Sequence, residues 1–164
     1  MNRSLTLLIA LAVTMLRSVE GVQQPAPAVP PQFVGAVKDL QPPREPGSWI
    51  LQVISRGGLD GQGAGDRTIS SNGNITLERT GVTDSILPDR LRPLGDNVRK
   101  TVAAEWTGTR SSVCSDCYVT LMALTLRDAG GTMQTRITFW DPTTQKSVPA
   151  EVMRVYEMAM ALQP

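Results

Sequence analysis

The chain contains no histidine among its 164 residues and only two cysteines. Without imidazole it lacks the usual general base of serine and cysteine hydrolases and the commonest zinc ligand. Two thiols would need two carboxylates beside them to complete a four-ligand structural zinc site. An excess of one charge is missing too, with 16 basic against 15 acidic side chains. No basic surface is therefore available to displace counterions from phosphates, which argues against nucleic acid and anionic membrane partners. Aromatic residues are scarce, at three Trp, two Tyr and two Phe, and offer little for the aromatic cage of a small-ligand carrier. The paired carboxylates along the chain are accounted for by helix faces and first-turn dipoles, so no catalytic acid or base is assigned. The expectation is a protein that is not an enzyme and holds no cofactor and no metal.

The chain does carry a leader pattern. Arg3 precedes an apolar stretch over residues 5–16, and small residues at Val19 and Gly21 follow it. That order reads as a secretory signal peptide over residues 1–21, cut after Gly21. The apolar stretch falls short of the roughly 20 residues a bilayer-spanning helix needs. The expected location is secreted or periplasmic, with no membrane span once the leader is removed; Arg17 leaves an uncleaved N-terminal anchor as the alternative reading. Removal of residues 1–21 takes away Arg3, Arg17 and Glu20 and leaves 14 basic and 14 acidic side chains.

Residues 22–47 hold seven of the 12 prolines. Proline removes backbone donors and fixes φ, so this stretch reads as an extended, disordered linker. The 117 residues of 48–164 suffice for a single domain with its own core.

Within that domain, Trp49-Ile50-Leu51-Gln52-Val53-Ile54 is rich in β-formers and runs into Arg56-Gly57-Gly58, which predicts a strand ending in a glycine-rich loop. Two short β-forming runs flank Asn72-Gly73, a dipeptide in which both positions accept positive φ, so a tight hairpin is expected there. Ile86, Leu87, Leu91, Leu94, Val98 and Val102 recur at steps of three and four and predict a helix over residues 88–104. Pro93 should kink it or restart it. A second hairpin is predicted from Tyr118–Arg127 through Asp128-Ala129-Gly130-Gly131 to residues 132–140. A last helix opening at Pro149 places Val152, Val155, Tyr156, Ala159 and Leu162 on one face. The order β-β-β-α-β-β-α predicts an α+β domain: a mostly antiparallel sheet of about five strands with two helices packed on it.

Two segments carry candidate chemistry. Cys114-Ser115-Asp116-Cys117 spaces two thiols for a local disulfide or a redox cycle. Redox-active pairs favour helix N-termini, whereas this pair runs into a predicted strand, and Asp116 disfavours a neighbouring thiolate. A structural disulfide between Cys114 and Cys117 is expected in a secreted chain, with thiol-disulfide exchange as the competing reading. The glycine-rich segment 57–66 is neither a phosphate loop, since a strand follows and no Gly-Lys-Ser/Thr closes it, nor a calcium loop, since the intermediate acidic ligands are lacking. It is a connector or a loop that presents its backbone to a partner.

Trp49 through Gly58, Ser71-Asn72-Gly73 and the helix bearing Leu87, Leu91 and Leu94 resemble the pattern of emfourin-type domains, small protein inhibitors of thermolysin-family metalloproteases. The resemblance covers mainly residues 48–103. Those domains carry Ser-Gly-Gly-Phe-Ala-Gly after the first strand. Here the run is Ser55-Arg56-Gly57-Gly58-Leu59-Asp60-Gly61, with Arg56 inserted, Leu59 for the aromatic and Asp60 for the alanine. The resemblance implies an α+β inhibitor-like module and carries over no inhibitory residue; the candidate loop toward a secreted protease, or another extracytoplasmic protein, is Arg56, Gly57, Gly58, Leu59, Asp60 and Gly61 at the end of the first strand. The alternatives are a thiol-disulfide redox protein and a purely structural secreted domain; the sequence sets no oligomeric state.

Overall fold

The apolar run beginning at Trp49 has no polar-apolar alternation, the pattern of a strand covered on both faces. In a computed structural model, which describes residues 29–38, 40–58, 65–104, 106 and 116–163, this run is the central strand β1, Trp49–Gly57. The chain continues through β2 (Arg67–Ser70), β3 (Asn74–Leu77), β4 (Val82–Ser85), helix α1 (Pro88–Thr101), β5 (Tyr118–Arg127), β6 (Met133–Trp140) and helix α2 (Ala150–Ala161). All strands join one antiparallel sheet in the order β4-β3-β2-β1-β5-β6. The α+β class and the two helices are as expected, with six strands in place of about five.

The added strand is β4, whose four residues are all exposed. It has no hydrophobic alternation for a sequence reading to find. Backbone pairing with β3 holds it, from Asn74↔Ser85 to Leu77↔Val82, after a turn in which Gly81 takes φ +67° and donates its N–H to the Leu77 carbonyl at 2.9 Å.

The Asn72-Gly73 hairpin forms with a different turn from the one expected. Only Gly73 has positive φ, at +93°, and its N–H closes on the Ser70 carbonyl at 2.9 Å. Asn72 keeps negative φ because its Oδ1 is engaged locally, accepting from the Ser70 hydroxyl and, at 3.3 Å, from the Asn74 N–H. The outcome matches a longer hairpin loop, with one glycine supplying the left-handed residue.

Helix α1 starts at Pro88 as expected and runs to Thr101, continuing through Pro93 without a break. Pro93 and Asp89 both lie on the exposed side, so the Asp89 carbonyl that loses its amide partner faces water, and the cost of an interior proline is reduced. On the buried side, Gly95 faces the Trp49 indole, and a Cβ there would make ordinary contact with the ring at 3.8 Å.

One sheet face packs under both helices. Trp49, Leu51, Val53, Ile69, Ile75, Met122, Leu124, Leu126 and Trp140 meet Leu94 and Val98 of α1 and Val152, Val155 and Ala159 of α2. Arg67 reaches across from β2 to the end of α2, where its Nη1 donates to the carbonyls of Ala159, Met160 and Leu162 at 2.9, 3.0 and 3.0 Å. A cation at a helix C-terminus opposes the negative end of the helix dipole and satisfies carbonyls that have no amide partner within the helix.

The opposite face carries a second cluster of Ile54, Val119, Leu121, Ala123 and Ile137, and it is closed by Phe33, which is fully buried. Residues 22–47 therefore divide. Residues 22–28 lie outside the described residues, whereas the described chain from Val29 onward lies against the sheet, with Pro30 and Pro42 buried as well. Its C-terminal end is tied where β1 meets β5: Gly47 N–H donates to the Arg127 carbonyl at 2.9 Å, and Arg127 Nε donates to the Pro43 carbonyl at 3.4 Å. Phe33, with Val29, Ala36 and Val37 around it, supplies the apolar surface that docks the stretch.

Candidate functional site

The strand β1 outruns its neighbour on one side. Its last pair with β2 is Val53↔Arg67, while pairing with β5 continues to Gly57↔Tyr118. Beyond Val53, a side chain replaces the missing backbone partner. Asp66 Oδ1 accepts the Ser55 N–H at 2.9 Å, and Asp66 Oδ2 accepts Arg56 Nη1 at 2.6 Å. Arg56 Nη1 also donates to the Ser55 carbonyl at 2.7 Å. The base of the glycine-rich segment is thus closed by a charge-assisted clamp between its two ends.

Gly57 and Gly58 leave the sheet with φ +94° and +79°, a region favourable only to glycine. At Gly57 space is also tight, since a Cβ would lie 2.9 Å from the Cys117 carbonyl oxygen. The register Gly57↔Tyr118 sets Cys117 beside Gly57, so the glycine-rich segment and the cysteine segment meet the sheet at the same end. Of the residues singled out from the sequence, Arg56, Gly57, Gly58 and Cys117 are described; Leu59, Asp60, Gly61 and Cys114 lie outside the described residues. Arg56 is committed to Asp66 and acts on the loop base. Cys117 is half-buried and directly precedes β5.

Beside this clamp, between residues 35–38 and the outer sheet face, lies a cavity of about 200 Å³. Gln52, Arg56, Asp66, Thr68, Glu78 and Lys38 line it. Lys38 Nζ donates to Glu78 Oε2 at 2.5 Å, and the Thr68 hydroxyl donates to Glu78 Oε1 at 3.1 Å. The Gln52 amide faces the Lys38 backbone: oriented to satisfy both groups, its NH₂ donates to the Lys38 carbonyl at 3.1 Å and its oxygen accepts the Lys38 N–H at 3.3 Å. Sequence reasoning did not single out Lys38, Gln52, Asp66 or Glu78. The available signal was Gln52, a polar residue within an otherwise apolar strand and only 5% exposed, since a buried amide requires partners.

Perturbed titration occurs elsewhere, on the helix-covered face. Burial raises the Tyr156 phenol above its ordinary value, with Tyr118 adding to the rise, while a hydrogen bond with Thr120 and the Arg67 charge oppose it. Burial lowers the Arg67 guanidinium, and Tyr156 opposes that shift. These groups brace α2 against the sheet; Trp140 meets Tyr156 edge-to-face with ring centroids 5.0 Å apart. Among the described residues no group of three His, Cys, Asp or Glu side chains is placed to hold a metal ion, and no helix is long and apolar enough to cross a membrane. What the described residues provide is a clamped loop base on a sheet end. Comparison with protein-family models, curated proteins and solved structures finds no match to this chain.

Proposed function

We propose that the chain is a secreted or periplasmic, non-enzymatic protein-binding domain that acts as an inhibitor-like module on an extracellular metalloprotease. The observation that carries this reading is the closed loop base: Asp66 joins Ser55 and Arg56 at the end of a sheet strand, directly before the glycines. A base fixed in this way reduces the entropy that the segment it anchors gives up on binding. Backbone offered from that base is the group that meets a protease cleft and hydrogen-bonds there. In this reading residues 57–61 make the contact, while Arg56 and Asp66 position them. In this reading Cys114 and Cys117 form a local disulfide that steadies the neighbouring segment; the position of Cys117 directly before a strand supports a structural bridge over an exchange-active one.

The test is titration of thermolysin with the chain from Val22 onward, following residual activity against molar ratio. A loss of activity that is complete near equimolarity, and is weakened by Leu59→Asp with the fold unchanged by circular dichroism, is the expected result. Full protease activity at large excess refutes the inhibitor reading.

A further inference from the structure

Residues 29–38 are a self-contained unit. Their described backbone hydrogen bonds close local turns: Phe33 N–H to the Pro30 carbonyl at 2.9 Å, Val34 to Pro31 at 3.2 Å, and Ala36 and Val37 to Phe33 at 2.9 and 3.2 Å. The segment therefore satisfies these amides without borrowing strand partners from the sheet. The described contacts that hold it are made by side chains. Phe33 fills the outer cluster with Val29, Ala36 and Val37 around it, Gln52 grips the Lys38 backbone, and Lys38 pairs with Glu78. At the Lys38 end a cleft of about 200 Å³, open to solvent, lies between strap and sheet.

From these observations we infer that the outer face of the sheet is an exchangeable docking site, and that its second occupant is residues 29–38 of another copy of this chain. The complementarity is the one already formed within the chain, so exchange needs no new surface, the condition under which domain swapping is a low-cost route to a dimer. The connection from residue 39 to 47 has nine residues and spans at most about 30 Å when extended; full use of that reach also frees Pro42 from its buried position and Pro43 from Arg127. The intramolecular strap competes at an effective concentration in the millimolar range. Exchange in the unaltered chain therefore becomes visible only as protein concentration approaches that range. This inference does not rest on the protease reading.

Charge reversal isolates it. Lys38→Glu places like charges at positions 38 and 78 within its own chain, and so does Glu78→Lys, but a strap-exchanged mixed dimer pairs opposite charges at both sites. With the chain from Val22 onward, one variant isotope-labelled, native mass spectrometry over about 10 μM to 1 mM, a span that rises to the effective concentration of the strap, counts the three dimers. The mixed dimer is expected to exceed its statistical share by about tenfold, from two restored pairs and two relieved repulsions. Lys38→Glu mixed with Glu151→Lys, an exposed reversal on α2, sets the level produced by net charge alone. Monomers at every concentration, a statistical mixed dimer, or equal enrichment with the Glu151→Lys control would each overturn the inference. Both variants alter the Lys38–Glu78 pair at the edge of the cleft and leave Phe33 in place, and circular dichroism of each variant alone confirms its fold before mixing.

Discussion

Replacement of Phe33 by alanine tests whether the proline-rich segment belongs to the folded unit. Phe33 is 0% exposed and meets Ile54, Leu121 and Ile137 across the outer face. Full burial of a phenylalanine contributes about 1.5–3 kcal/mol, and truncation to alanine with an incompletely collapsed cavity costs about 3–5 kcal/mol. Because a weakened strap can lift away, the loss is capped by its own docking free energy, which favours the lower end, about 3 kcal/mol. The assay is urea denaturation followed by tryptophan fluorescence, since Trp49 and Trp140 are 2% and 4% exposed in the helix-side core and report global unfolding. At a slope of about 1.5 kcal/mol/M, the midpoint should fall by about 2 M. Val34→Ala is the neighbouring control: Val34 is 74% exposed, and surface changes of this kind stay within about 0.5 kcal/mol. A Phe33→Ala shift no larger than the Val34→Ala shift would refute the reasoning and return residues 29–38 to the status of a spacer.

Three further perturbations probe the loop base and the helix-side brace. Gly57→Ala meets both a φ of +94° and a carbonyl oxygen 2.9 Å from the new Cβ, whereas Gly131→Ala meets a φ of +85° and open space. Thermal unfolding should show Gly131→Ala losing about 1 kcal/mol from left-handed strain alone and Gly57→Ala losing clearly more; equal losses would mean the Cys117 contact is unimportant. Arg67→Met removes the donor to three carbonyls at the end of α2, and charged hydrogen bonds of this kind contribute about 1.5–3 kcal/mol each way. Hydrogen exchange should quicken in the last turn of α2 before it does in β1, and unchanged protection there would contradict the brace. Tyr156 has a raised folded-state pKa, first through burial, so above about pH 10 the unfolded chain releases its phenolic proton while the folded chain retains it. Stability present below that pH is lost as pH rises toward the folded value. Urea midpoints should fall less steeply between about pH 9 and 11 in Tyr156→Phe than in the unaltered chain, and parallel profiles would sink the assignment.

Local patterns in the sequence were sufficient for much of the architecture. The uninterrupted apolar run from Trp49 marks a strand covered on both faces, the three-and-four spacing from Leu91 to Val98 marks the buried side of α1, and Asp128-Ala129-Gly130-Gly131 marks the turn between β5 and β6. Each of these depends on a residue and its near neighbours, so period and turn chemistry suffice to read it. The strand β4 was illegible because it is held by backbone pairing and buries no side chain. The site was legible in part. Glycines at 57 and 58 announced a left-handed exit from β1, but the contact of Gly57 with Cys117 depends on the pairing of β1 with β5.

What only the tertiary structure decided is which distant groups share a surface. Arg56 looked available to a partner in the sequence, yet Asp66 engages it, because β2 stops pairing at Val53 and a carboxylate takes the vacant backbone position. The proline-rich stretch read as a spacer because its composition cannot build a helix or a ladder. Docking requires neither, only a small apolar cluster around Phe33 and a complementary face, and that face is assembled from Ile54, Val119, Leu121, Ala123 and Ile137 on three strands. Periodicity records the faces of single elements, and composition records what a segment cannot form by itself. Which face a segment finally covers is set by strand order and register, and those emerge when residues 20 to 100 positions apart compete for the same surface.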